Sequence, residues 1–83
     1  MKLFLISQSQ HDDYDTYDSA VVAAENEEEA KNMNPGNGNQ MTEEDWKHNF
    51  SLWCNSPEHV QVEYLGEAIS DKKGVVCASF NAG

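Results

Sequence analysis

The chain carries residues that could do metal or nucleophile chemistry, and their spacing decides how far that chemistry can be taken. His48, Cys54, His59 and Cys77 are zinc-ligand types, and a tetrahedral site needs four such groups. They are separated by five, four and seventeen residues. None of these gaps makes a compact ligand pair such as Cys-x2-Cys. His11, Asp12, Asp13 and Asp15 could touch a hard cation, but the segment lacks the ligand pattern and central glycine of an EF-hand. Cys54 with His48 or His59 can be written as a nucleophile–base pair, yet no Gly-x-Ser-x-Gly elbow or cysteine signature surrounds it. Gly36 and Gly38 lack the strand-loop-helix setting and the Lys-Ser/Thr of a phosphate loop. The expectation is a protein that is not an enzyme, with no cofactor and no metal.

The acids are what stand out. Fifteen Asp and Glu oppose five cations, for a net charge of -10 in 83 residues. All five cations are lysines: Lys2, Lys31, Lys47, Lys72 and Lys73. Without arginine there is no bidentate fork for phosphate. Direct binding to nucleic acid, which needs cations to displace counterions, is excluded, and docking on an anionic membrane is disfavoured. The acids group as Asp12, Asp13, Asp15 and Asp18; Glu25, Glu27, Glu28 and Glu29; Glu43, Glu44 and Asp45; and Glu58, Glu63 and Glu67.

Two readings of these groups stand side by side. In one they are solvated faces and helix starts, where carboxylates complement the helix dipole. In the other they form an extended negative surface that imitates a nucleic-acid backbone. Duplex DNA carries about one charge per 1.7 Å, so a domain some 25–30 Å across could present roughly ten phosphate equivalents. Tyr14 and Tyr17 lie within the acidic segment and could anchor a basic partner, or Tyr17 could simply pack at a strand start. The partner-binding candidates are Asp12, Asp13, Tyr14, Asp15, Tyr17 and Asp18, with Glu27, Glu28 and Glu29 second.

These residues need a scaffold, and 83 residues provide one domain, 1–83. At 39% hydrophobic and 10% aromatic, with Trp46 and Trp53 among the aromatics, the chain is expected to fold. Leu3–Ile6 is an apolar run of four, short of the roughly 7–15 of a signal segment, and nothing approaches a membrane span of about 20. A cytoplasmic protein is expected. Two cysteines are too few for the usual disulfide framework of a small secreted domain. Both are expected to stay reduced, with Cys77 packed as a small apolar side chain.

Residues 2–8 read as a buried strand, Gln8 to Thr16 as a hairpin loop, and Tyr17–Ala24 as a second strand. Asn26 is an N-cap followed by Glu27, Glu28 and Glu29 in the first helical turn. Asn34 to Gln40 is rich in Asn and Gly and predicts a mobile loop at about 34–41. Thr42 is a second cap, with Met41 and Trp46 placed to form a hydrophobic staple. Trp46, Phe50 and Trp53 share one helical face, which predicts a helix over 43–53. A competing reading ends that helix near His48 and leaves 50–54 irregular, filling the core. Val60, Val62 and Tyr64 alternate with polar residues as a half-wet strand. Val75–Phe80 is the last strand, with Val76, Ala78 and Phe80 expected inward. The fold class is a two-layer α+β domain in β-β-α-α-β-β order. Two antiparallel hairpins make one four-stranded sheet, with short helices on one face.

The segment Tyr14–Glu25 running into Glu28-Glu29-Ala30, and Gly74-Val75-Val76 through Ser79–Gly83, resemble small acidic bacteriophage accessory proteins. The middle of the chain, Pro35 to Leu52, lies outside the resemblance. Such proteins are similar in size and charge to inhibitors of host defence, including anti-CRISPR and anti-restriction proteins. The resemblance implies an inhibitor acting in the host cytoplasm on a basic, nucleic-acid-binding protein. It carries no residue roles. The alternative is a structural or assembly module, or a homodimer, built on a sheet edge or on the face of Trp46, Phe50 and Trp53.

Overall fold

The computed structural model describes residues 1–9, 16–48, 53–54, 56–69 and 72–81. Four strands, β1 (Lys2–Ser7), β2 (Thr16–Ala24), β3 (Gln61–Glu67) and β4 (Gly74–Asn81), form one antiparallel sheet. Helices α1 (Glu27–Lys31) and α2 (Glu43–His48) and a 3-10 turn at Pro57–His59 complete the order. The α+β class with β-β-α-α-β-β order is as the sequence predicts.

The pairing differs from two hairpins. The strand order is β3-β1-β2-β4, so β3 and β4 occupy opposite edges. The apolar runs Leu3–Ile6 of β1 and Ala20–Ala24 of β2 take the centre, where both neighbours shield them. The more polar β3 and the short-side-chain β4 are left outside. The connection from Glu67 to Gly74 must therefore cross the end of the sheet, a span of three inter-strand spacings or about 14 Å. Six residues reach about 20 Å when extended, enough for the crossing. Ala68 N–H anchors its start on the Met1 carbonyl at 2.8 Å. Lys73 anchors its end on Glu29 at 3.0 Å and on Glu25 at 3.7 Å.

Register assigns each residue to a face. Tyr64, Phe4, Val22 and Val75 stand in one row across the sheet, and Val62, Ile6, Ala20 and Ala78 in another. On this inner face Phe4, Ile6, Ala20, Val22 and Ala24 are buried against Ala30, Met33, Met41, Trp46, Trp53, Cys54 and Val60. The rows between them, Glu63–Leu5–Val21–Cys77 and Gln61–Ser7–Ser19–Ser79, point to the opposite face. There Leu3, Leu5 and Val21 keep partial exposure.

Three expectations are corrected. Helix α2 ends at His48 within the described residues, and Trp53 sits in a bend rather than on its face. The shorter reading holds for α2: Trp53, 1% exposed, and Cys54, fully buried, fill the core as irregular chain. Phe50 lies outside the described residues. In β4 a register shift between Val21 and Val22 sets Val75 opposite Val22. The inward valine is therefore Val75, and Val76 is 61% exposed. Ala78 shares the inner face but is exposed at the sheet edge, and the Phe80 side chain lies outside the described residues. Cys77 is exposed and Cys54 buried, and both are free thiols. Cys77 stands on the uncovered face, opposite Val21, and does not pack as a core residue.

The stretch from Asn34 to Met41 is densely hydrogen-bonded. Asn34 Oδ1 accepts from Gly36 N–H at 2.7 Å, and Asn34 N–H donates to Asn39 O at 2.8 Å. Met41 N–H closes the turn onto Asn32 O at 2.7 Å. Gly38 has φ +78, and a Cβ there would stand 3.1 Å from Gly74 Cα. A side chain at position 38 would thus meet both backbone strain and the start of β4.

Trp53 Nε1–H is buried and finds no acceptor among the described residues. Leaving such a donor unpaired costs about 1–3 kcal/mol. In urea denaturation, Trp53→Ala is expected to lose about 3–5 kcal/mol through lost burial and a cavity. Trp53→Phe removes the orphan donor along with part of the ring and is expected to lose less than half as much. Equal losses for the two variants would show that the indole N–H is satisfied.

Candidate partner-binding surface

Of the candidate residues, the structure describes Tyr17, Asp18, Glu27, Glu28 and Glu29. Asp12, Asp13, Tyr14 and Asp15 lie outside the described residues. Tyr17 is half-buried and packs against the core cluster. A Cβ at Gly36 would stand 3.3 Å from its hydroxyl, so the ring lies beneath the 34–41 loop. Asp18 is exposed, at a register shift between Tyr17 and Ser19, and its carbonyl accepts from Gln8 N–H at 3.1 Å.

Glu27, Glu28 and Glu29 stand at the far end of the same strand. Ala24 is six residues beyond Asp18 along β2, or about 20 Å at strand rise. The structure thus places Asp18 near the start of β2 and the first turn of α1 beyond its end, after the bend at Glu25-Asn26.

At α1 the cap explains the local chain. Asn26 Oδ1 accepts from Glu29 N–H at 2.8 Å, and Glu29 Oε1 accepts from Glu25 N–H at 2.9 Å. The cap satisfies one donor that a five-residue helix would otherwise leave open, and the Glu29 carboxylate ties the chain just before the cap. At α2 Thr42 and Asp45 form a reciprocal capping box: Asp45 N–H donates to Thr42 Oγ1 at 3.2 Å and Thr42 N–H to Asp45 Oδ2 at 3.0 Å. Of the acids at helix starts, Glu29 and Asp45 are thus engaged with backbone. Glu27, Glu28, Glu43 and Glu44 are exposed. Among the described residues, the ion pairs are those of Lys73 with Glu25 and Glu29 and of His48 with Glu44.

Glu29 is held below the usual carboxylate range. The Glu25 N–H hydrogen bond is the main cause, and it outweighs partial burial, with Lys73 helping. Lys73 is raised, first by its hydrogen bond to Glu29.

A groove of about 320 Å³ opens beside Glu27, lined by Lys2, Phe4, Asn26, Glu27 and Tyr64. Tyr64 is 55% exposed and meets Phe4 edge-to-face, with centroids 5.7 Å apart. Its hydroxyl donates to Glu67 Oε2 at 3.1 Å. Its phenol is raised, first by lost hydration and then by Glu67. An aromatic wall with carboxylates beside it suits a cationic side chain. The period-two pattern of β3 places Tyr64 on the Val62 face, but its neighbour Phe4 depends on β3 pairing with β1, which sequence reasoning missed.

Among the described residues no group of three or more His, Cys, Asp or Glu is placed to hold a metal ion. Burial pushes the Cys54 thiol up to about 11, against hydrogen bonding from backbone that lowers it. No helix of the described residues is long and apolar enough to cross a membrane. No family model, curated protein or solved structure matches this chain.

Two measurements follow from these environments. Because the Glu29 carboxyl is depressed on folding, its contribution is present above its unfolded value and is lost as pH falls below about 4.5. Glu29→Gln is expected to flatten the acid limb of the stability–pH profile in that range; an unchanged limb would remove Glu29 from the account. A thiol reagent at pH 8 is expected to modify Cys77 at once and Cys54 only on unfolding, read by mass spectrometry. Equal modification rates would show Cys54 to be accessible.

Proposed function

We propose that this chain is a non-enzymatic acidic binding protein that occludes a basic, nucleic-acid-binding protein. In this reading it acts in the manner of a phage inhibitor of host defence, of the anti-CRISPR or anti-restriction kind. The supporting observation is that Asp18 near the start of β2 and Glu27 and Glu28 beyond its end are exposed on one folded scaffold. They form no ion pair among the described residues, and the β2 segment Asp18–Ala24 between them rises about 20 Å. Carboxylates held on a folded scaffold meet a site built for phosphates without the entropy loss of ordering a flexible acidic tail. Long-range attraction speeds the encounter, and Tyr64 beside Glu27 offers an aromatic contact near α1.

A second reading, an assembly module, is favoured by a different observation. The outer face of the sheet carries Leu3, Leu5 and Val21 in partial exposure, which suits an apolar contact indifferent to salt.

The test is capture from bacterial lysate with mass spectrometry, followed by titration of the captured protein. Wild type is compared with a variant changing Asp12, Asp13, Asp15 and Asp18 to Asn, and with Glu27→Gln/Glu28→Gln. Each variant is expected to weaken binding at least about tenfold, or 1.4 kcal/mol. Wild-type affinity is expected to fall steeply as NaCl rises through about 0.1–0.5 M, where the screening length drops below about 10 Å. Affinity flat with salt, or unaltered in both variants, would defeat the occlusion reading.

A further inference from the structure

The eight residues of β4 read Gly-Val-Val-Cys-Ala-Ser-Phe-Asn and include no charge, in a chain whose net charge is -10. The strand lies at the sheet edge, paired with β2 on one side, and among the described residues no strand lies on the other. Val76, Cys77, Ala78 and Ser79 are all exposed. Natural edge strands are blunted by charge, proline, shortness or bulges. The opposite edge, β3, follows that rule: it carries Glu63 and Glu67 and a register shift between its pairs with Leu3 and Phe4. In β4 the one such device is the shift near Val76. From Cys77 to Ser79 the pairing with Val21, Ala20 and Ser19 is regular. At the next shift the extra residue, Asp18, belongs to β2, so the free edge of β4 runs unbroken over Cys77–Asn81.

We propose that this edge pairs antiparallel with β4 of a second copy, across a two-fold near Ser79, joining two sheets into one of eight strands. Self-pairing about a two-fold brings identical segments together. Any charge near its centre would face its own copy, and β4 is the strand from which charge is absent. A basic partner finds nothing for its cations on this edge, whereas a second uncharged edge finds matching backbone donors and acceptors. The contact is small and belongs to the weak class of interfaces, below about 1,200 Å² in total. It is therefore expected at high protein concentration, with a Kd on the order of 0.1–1 mM. Two chains of like charge repel, so added salt strengthens the pairing, the opposite sign to that expected for the basic partner. The proposal is independent of the occlusion reading.

The experiment is sedimentation equilibrium on the full chain from about 20 µM to 1 mM, with thiols kept reduced, at low and at 0.5 M NaCl. A reversible monomer–dimer equilibrium that tightens with salt is expected. Ser79→Lys places two ammonium groups at the two-fold and is expected to weaken the dimer at least about tenfold, while Ser79→Thr retains it. Amide exchange in β4 of wild type is expected to slow as concentration rises, a readout that does not depend on any variant folding. A chain monomeric to 1 mM at both salts, a dimer indifferent to Ser79→Lys, or association that passes beyond two copies overturns the proposal.

Discussion

The structure depends on covering one face of a four-stranded sheet with very little material. Two helices of five and six residues cannot hold themselves together in water. They persist because Ala30, Met33, Met41 and Trp46 bury against Phe4, Ile6 and Val22, joined by Trp53 and Cys54 from irregular chain. Large side chains on short elements make up for missing helix length. The Asn26 cap on Glu29 and the reciprocal Thr42/Asp45 box supply partners that so few turns leave unmet.

The same economy leaves the other face with no helical layer and both edges free among the described residues. It also splits the acids into two kinds. Glu29 and Asp45 hold helix starts, and Glu29 with Glu25 ties the crossover to α1 through Lys73. Asp18 and Glu27 do no comparable structural work, and Glu28 accepts from Asn32 Nδ2 at 3.3 Å on the surface. The negative surface is therefore partly architecture and partly surplus, and Asp18, Glu27 and Glu28 are among the exposed carboxylates open to a partner.

Salt acts with opposite sign on the two proposed contacts. Screening weakens attraction between the exposed carboxylates and a cationic partner, and it relieves repulsion between two copies meeting at β4. The two surfaces are also separate in the fold: Asp18 and Glu27 lie near the ends of a central strand, and the uncharged backbone lies along an edge.

Local rules carried most of the elements. The apolar runs of β1 and β2, the caps at Asn26 and Thr42, and the half-wet alternation of β3 depend on neighbours in sequence, and each was readable from residue types. The α+β class followed from their order. Strand order did not, because nothing in Gln61–Glu67 or Gly74–Asn81 states which free edge each will take. That choice rests on the reach of the crossover and on its anchors, Ala68 on Met1 and Lys73 on Glu29. Nor did the inward residue of β4, since one bulge exchanges Val75 for Val76. The fate of Cys77 and the pairing of Tyr64 with Phe4 both follow from those non-local decisions. Composition alone determined that the chain is strongly acidic and lacks arginine. Only the tertiary structure decided that Glu25 and Glu29 are paired with Lys73 and which strand is left with an open, uncharged edge, because both depend on contacts between residues far apart in the chain.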